Sequence, residues 1–177
     1  MTALFFLGIL FLCHTHATLS QNREADNPDA KEVMWKLPKT FMLQSLGNYT
    51  HLICGYQHFY NDTRGNRKYD LLFKYPDRIF SQPLYVKDVT NNKIYMGTRP
   101  EKYFGADREL DILYSNMQSC MITRNPDEKI PEACNLMVTK ASFEDPPQIC
   151  LQKFKDHCKG QAFKYTIKGC PYPGNQN

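Results

Sequence analysis

Between Thr40 and Lys140 apolar and polar residues alternate in short runs separated by turn residues. The alternation is clearest at Lys68 to Tyr75, where Tyr69, Leu71, Phe73 and Tyr75 share one face. Lys68, Asp70 and Lys74 share the other with Leu72. A period of two with one wet face describes antiparallel sheet. Read this way, the text predicts strands at Thr40–Leu46, Leu52–Tyr60, Lys68–Tyr75, Pro83–Val89, Lys93–Thr98, Leu110–Ser115, Ser119–Arg124 and Cys134–Lys140. Asp62–Asn66 reads as a turn, Pro76-Asp77 ends the third strand, and Asn91-Asn92 is set for a tight hairpin.

Two segments depart from that period. KEVMWKL (Lys31–Leu37) predicts a turn or two of helix that Pro38 stops. After Pro146-Pro147, Cys150, Leu151, Phe154 and Cys158 recur at helical spacing, with Lys153, Lys155, Asp156 and Lys159 turned outward. Gln21–Ala30 is polar and expected to be loose, and Ala162–Ile167 reads as a last extended piece leading to Cys170. The fold expected is mainly β: eight consecutive antiparallel strands as an up-and-down barrel, with a short N-terminal helix and a C-terminal helix packed outside. Closure removes exposed sheet edges, and eight strands enclose about enough room for one small ligand.

Composition places this barrel outside the cell. The chain has 177 residues, enough for one domain. Ala3–Cys13 is an apolar run of signal-peptide length, with small residues at Thr15/Ala17 or Thr18/Ser20 as cleavage points. Residues 1–20 are therefore expected to be a leader cut between about 17 and 20, and 21–177 the single mature domain. No Lys or Arg precedes the run, so only the terminal amine charges its start. Removing the leader removes Cys13 and leaves Cys54, Cys120, Cys134, Cys150, Cys158 and Cys170, an even set that fits a disulfide framework. Their spacing alone leaves fifteen connectivities open. Asn48-Tyr49-Thr50 and Asn61-Asp62-Thr63 are glycosylation acceptors in such a chain, each at an expected strand end.

Several functions are disfavoured. A net charge of +4, dispersed along the chain, does not suit nucleic acid. Beyond the leader no stretch approaches the ~20 apolar residues of a membrane span. No Cys-x-x-Cys pair occurs, and His51, His58 and His157 show no metal-ligand spacing, so no metal is expected. The Gly-x-Ser-x-Gly elbow, the phosphate-cradling glycine loop and His-Glu-x-x-His are all missing, which argues against an enzyme. Asp107, Glu109 and Asp111 form an acidic cluster that a solvated loop explains as well as a site does.

From Trp35 to Cys170 the chain resembles the salivary lipocalins of ticks, whose best-known members bind histamine. The resemblance rests on the cysteine placement and on Cys120-Met121-Ile122, Asn135-Leu136-Met137 and Cys150-Leu151, at gaps typical of that family. PPQICLQKF (146–154) is similar to the segment opening the family's C-terminal helix. The resemblance implies disulfides Cys54–Cys170 and Cys120–Cys150, with Cys134 left to Cys158. The departures bear on function. Amine-binding members carry Asp, Glu and an aromatic where this chain has Met121, Asn135 and Met137. A buried cation without a carboxylate costs several kcal/mol, so histamine and serotonin are disfavoured.

If alternate strand positions face inward, Leu71, Phe73, Ile94, Met96, Ile112, Met121 and Met137 line a dry, adaptable cavity suited to a sterol or fatty acid. The same residues would also serve as ordinary core. The leader and VMWKLPKTFML (33–43) resemble family members that alter host dendritic-cell maturation and carry a cholesterol-like molecule. That resemblance implies a secreted glycoprotein with a hydrophobic ligand and host immune cells as partners; the sequence itself is silent on oligomeric state, and a monomer is the default expectation. An amine scavenger and a purely protein-binding immune inhibitor stand as alternatives.

Overall fold

The computed structural model describes residues 25–127 and 133–171. The leader assigned to 1–20 lies outside the described residues. Among the described residues ten strands and two helices follow in chain order: β1 (Ala25–Asp26), α1 (Ala30–Lys36), β2 (Lys39–Ser45), β3 (Cys54–Asn61), β4 (Arg67–Lys74), β5 (Ile79–Thr90), β6 (Lys93–Gly97), β7 (Arg108–Ser115), β8 (Cys120–Arg124), β9 (Cys134–Val138), α2 (Gln148–His157) and β10 (Phe163–Lys164). Each of β2 to β9 pairs antiparallel with the next, and β9 returns to β2, so eight strands close on themselves. The predicted strands match these within a few residues. The expected last extended piece is shorter, with only Phe163–Lys164 paired, against β2.

Local chemistry sets the turns. Asp62 Oδ1 accepts from the backbone N–H of Arg64 and of Asn66, each at 2.9 Å, and this closes the β3–β4 hairpin. Asn91 takes φ of 54°, a conformation Asn tolerates, between β5 and β6. Strand pairing shifts register within β2, β5 and β7. Such bulges bend and twist a strand, which helps a sheet curl shut.

The core divides in two. Inside the barrel, Met42, Phe59, Tyr69, Leu84, Ile94, Met96, Leu110, Ile112, Met121 and Met137 pack with Ala30, Val33, Met34 and Leu37 of α1, so this helix plugs one end. Asp29 caps α1 by accepting from the Lys31 N–H at 2.9 Å. Pro28 and Ala30 are buried and β1 pairs with β7, so part of the polar N-terminal stretch is anchored rather than loose. Outside the barrel, Cys150 and Phe154 of α2 pack over Tyr114, Ile122, Leu136 and Val138. Disulfides Cys120–Cys150 and Cys134–Cys158 bolt α2 to β8 and β9, and Cys54–Cys170 ties β3 to the C-terminal segment. Asp26 also reaches α2, with Lys153 Nζ at 2.7 Å and His157 Nε2 at 2.8 Å. Those two hydrogen bonds hold its carboxyl below the usual range.

Candidate functional site

With α1 closing one end, the opposite end carries the loops 46–53, 75–78 and 98–107 together with residues 125–127. Beneath them lies a cavity of about 220 Å³. Its walls are Met42 from β2, Leu71 and Phe73 from β4, Leu84 from β5, Met96 from β6, Leu110 from β7 and Met137 from β9. Gln82, Arg108, Glu109 and Asn125 are shared with a wider vestibule of about 890 Å³ that also takes in Tyr95, Asp107 and Asp127. The arrangement grades from apolar within to polar at the mouth.

Of the seven lining residues expected, the structure places Leu71, Phe73, Met96 and Met137 on the cavity wall. Ile94, Ile112 and Met121 point inward too, yet each has 0% exposure and packs below the cavity. The reason is α1. Its apolar face fills that half of the barrel, so inward residues there meet side chains and the hollow is confined to the open half.

The cavity also has polar side chains. Tyr69 donates its hydroxyl to Gln57 Oε1 at 3.2 Å, and Gln57 Nε2 donates to Thr40 Oγ1 at 3.1 Å and to Met121 Sδ at 2.9 Å. Gln57, Thr40 and Tyr69 are all buried. Burial pushes the Tyr69 phenol well above its ordinary pKa, so it remains a donor throughout the physiological range. Met121, at the position the resemblance assigns to an acid, is thus a thioether acceptor for a glutamine. Asn135, at the second such position, accepts from Ser45 Oγ at 2.6 Å on the cavity wall. The period-two pattern of β3 contained the Gln57 signal, since Gly55, Gln57 and Phe59 share a face. A polar residue on an otherwise apolar face is easily passed over.

Carboxylates are held elsewhere. Asp111 is not in a solvated loop. It is a strand residue with 3% exposure, clamped by Lys93 Nζ at 3.1 Å and Arg124 at 3.0 Å. Glu109, the one acid among the described cavity-lining residues, is paired with Lys93. Asp70 shares the outer face of β4 with Lys68 and accepts from Tyr60 Oη at 3.0 Å. His51 takes φ of 64° in a loop rather than a place on β3, and His58 stacks on Tyr60 with ring centroids 4.9 Å apart. Among the described residues no cluster of three or more His, Cys, Asp or Glu has the form of a metal site. No described helix is long and apolar enough to cross a membrane.

One loop reaches over the mouth. Tyr49 lies 5.1 Å from Phe73 and 5.9 Å from Tyr165, centroid to centroid. Its backbone N–H donates to Tyr165 Oη at 3.0 Å, and that hydroxyl donates to the Gly47 carbonyl. A Cβ on Gly47 would stand 2.7 Å from the Tyr49 ring, so a larger residue there displaces that ring. The acceptor Asn48 is exposed on this loop, and Asn61 is exposed at the opposite end of the barrel.

The chain is similar to several solved structures. Per a 4, a major allergen from cockroaches, superposes with a TM-score of 0.58 at 10% identity, over 81% of this chain and 92% of its own. Insecticyanin from the tobacco hornworm Manduca sexta gives 0.55 at 10% identity, over 85% and 87%. Japanin from Rhipicephalus appendiculatus, bound to cholesterol, gives 0.47 at 17% identity, over 72% and 90%. At 10% identity the likeness to the first two speaks for the barrel fold alone. No curated protein matches the chain by sequence. The family model described as tick histamine binding protein matches residues 41–170, most of the chain, and the chain belongs to that family.

Proposed function

We propose that this chain is a secreted carrier of one amphipathic lipid, a sterol or a fatty acid, held with its apolar body inside the barrel and its polar group in the vestibule. The observation that carries the reading is the graded cavity: Met, Leu and Phe walls within, then Gln82, Arg108 and Asn125 toward solvent. Size fixes the orientation. At about 220 Å³ the inner chamber is below the ~300–1,000 Å³ typical of sites that engulf a drug-sized ligand. A sterol or long acyl chain therefore extends into the vestibule. Burying ~300 Å² of apolar ligand gives ~7.5 kcal/mol before association costs, enough for useful retention.

An amine ligand is less well served. A desolvated ammonium needs a carboxylate, and the acid on the cavity wall is already neutralised by Lys93. The host-directed part of the proposal, an effect on immune cells such as dendritic cells, is supported by the sequence resemblance only.

Native mass spectrometry of gently purified protein is expected to show one bound lipid. Leu71→Trp, which fills the chamber, is expected to weaken binding of a fluorescent fatty acid or sterol by about tenfold or more with the circular dichroism unchanged. Wild-type affinity in that variant, or tight histamine binding by calorimetry, would overturn the reading.

A further inference from the structure

Trp35 is 81% exposed, and it is the single tryptophan of the chain. It is out of place among Lys31, Glu32 and Lys36 on the wet side of α1, because large aromatics contribute stability by being covered. It is not an isolated surface residue either. Trp35 forms one wall of a cleft of about 330 Å³ between α1 and the β3–β4 hairpin, with Phe59 and Tyr60 on the opposite wall. Lys31 and Arg67 stand on the same cleft, and their side chains hold no ion pair or hydrogen bond among the described residues. The remaining lining residue of note is Asn61, the exposed acceptor of Asn61-Asp62-Thr63.

We propose that this cleft is a carbohydrate subsite occupied by the chain's own modification: the first N-acetylglucosamine on Asn61 stacks its C–H face on the Trp35 indole. The inference rests on passage through the secretory pathway, part of the function proposed above. The chemistry of the cleft matches an N-acetylhexosamine. The aromatic π-face is negative and accepts the weakly positive C–H groups of a pyranose ring. Lys31 and Arg67 supply donors for the acetamide carbonyl and ring hydroxyls, which are acceptors. Such a contact is weak between free molecules. Here the sugar is tethered to a residue lining the same cleft, so its effective concentration reaches the millimolar range and the stacked state is populated. Docking would pin α1 against the β3–β4 hairpin from outside.

Because Trp35 is the single tryptophan, fluorescence excited beyond the absorption of the 11 tyrosines reads this site alone. Protein secreted from a glycosylating eukaryotic host is compared in four folded forms: intact, trimmed by an endoglycosidase to one N-acetylglucosamine, stripped by an amidase, and the Thr63→Ala variant, which lacks the acceptor. Glycopeptide mass spectrometry reports occupancy of Asn61 separately. Acrylamide quenching is expected to rise about twofold in the stripped and Thr63→Ala forms, as one of two indole faces is uncovered. The trimmed form stays protected, and Thr50→Ala, which removes the Asn48 acceptor, matches the intact protein. Equal quenching in all forms with Asn61 occupied overturns the docking and leaves the secretory reading standing. An unmodified Asn61 in secreted protein overturns the docking alone, and a chain that the host fails to secrete overturns both.

Discussion

At the scale of single residues, Met121 shows how the barrel core accommodates a thioether where the resemblance places an acid. It is fully buried, its sulfur accepts a hydrogen bond from Gln57, and across the strand pair it faces Met137. A carboxylate at this depth would have to be desolvated. Met121→Asp is expected to lower stability at pH 7 by about 3 kcal/mol, measured by urea denaturation. The sign with pH follows from linkage. Burial raises the folded-state pKa of such an acid, so stability is lost as pH rises above the unfolded value and recovers on acidification. A variant whose midpoint shows no such dependence would mean that the new acid had found a cation or solvent.

Elements decide access to the cavity. The loop between β2 and β3 owes its place to one distant hydroxyl: Tyr165, beside β10, bonds both Gly47 and Tyr49. Tyr165→Phe removes both bonds while keeping the ring that packs on Tyr49. Stopped-flow release of a bound fluorescent lipid is expected to quicken by about fivefold, corresponding to ~1 kcal/mol for the lost hydrogen bonding. The equilibrium fold should be unaffected, because β10 pairs with β2 through its backbone. An unchanged release rate would show that the ligand leaves past another loop.

The molecule as a whole is a closed ring of strands with its ends fastened by sulfur. Cys54–Cys170 spans 116 residues, whereas Cys120–Cys150 and Cys134–Cys158 span 30 and 24. Chain-entropy arguments assign about 4–5 kcal/mol to a loop of roughly one hundred residues and ~3 kcal/mol to one of a few tens. The Cys54→Ala/Cys170→Ala pair is therefore expected to lose more stability than Cys134→Ala/Cys158→Ala, by about 1 kcal/mol in chemical denaturation. The reverse order would place the weight of the framework on α2, through strain or residual structure in the unfolded chain.

Local information was enough to locate the strands and the two helices. Alternation along Tyr69, Leu71 and Phe73, helical spacing from Cys150 to Cys158, and the turn chemistry of Asp62 and Asn91 are all short-range properties, written within a few residues of where they act. Three decisions depended on long-range packing. The plug of α1 left Leu71, Phe73, Met96 and Met137 on the cavity while Ile94, Ile112 and Met121 became floor. The bulge in β7 put both Leu113 and Tyr114 outside the barrel, breaking the period on which facing had been read. The clamp of Lys93 and Arg124 turned Asp111 from a solvated acid into a buried ion pair. In each case the partner lies on another element, and a strand's own pattern records which residues are apolar but not what stands opposite them.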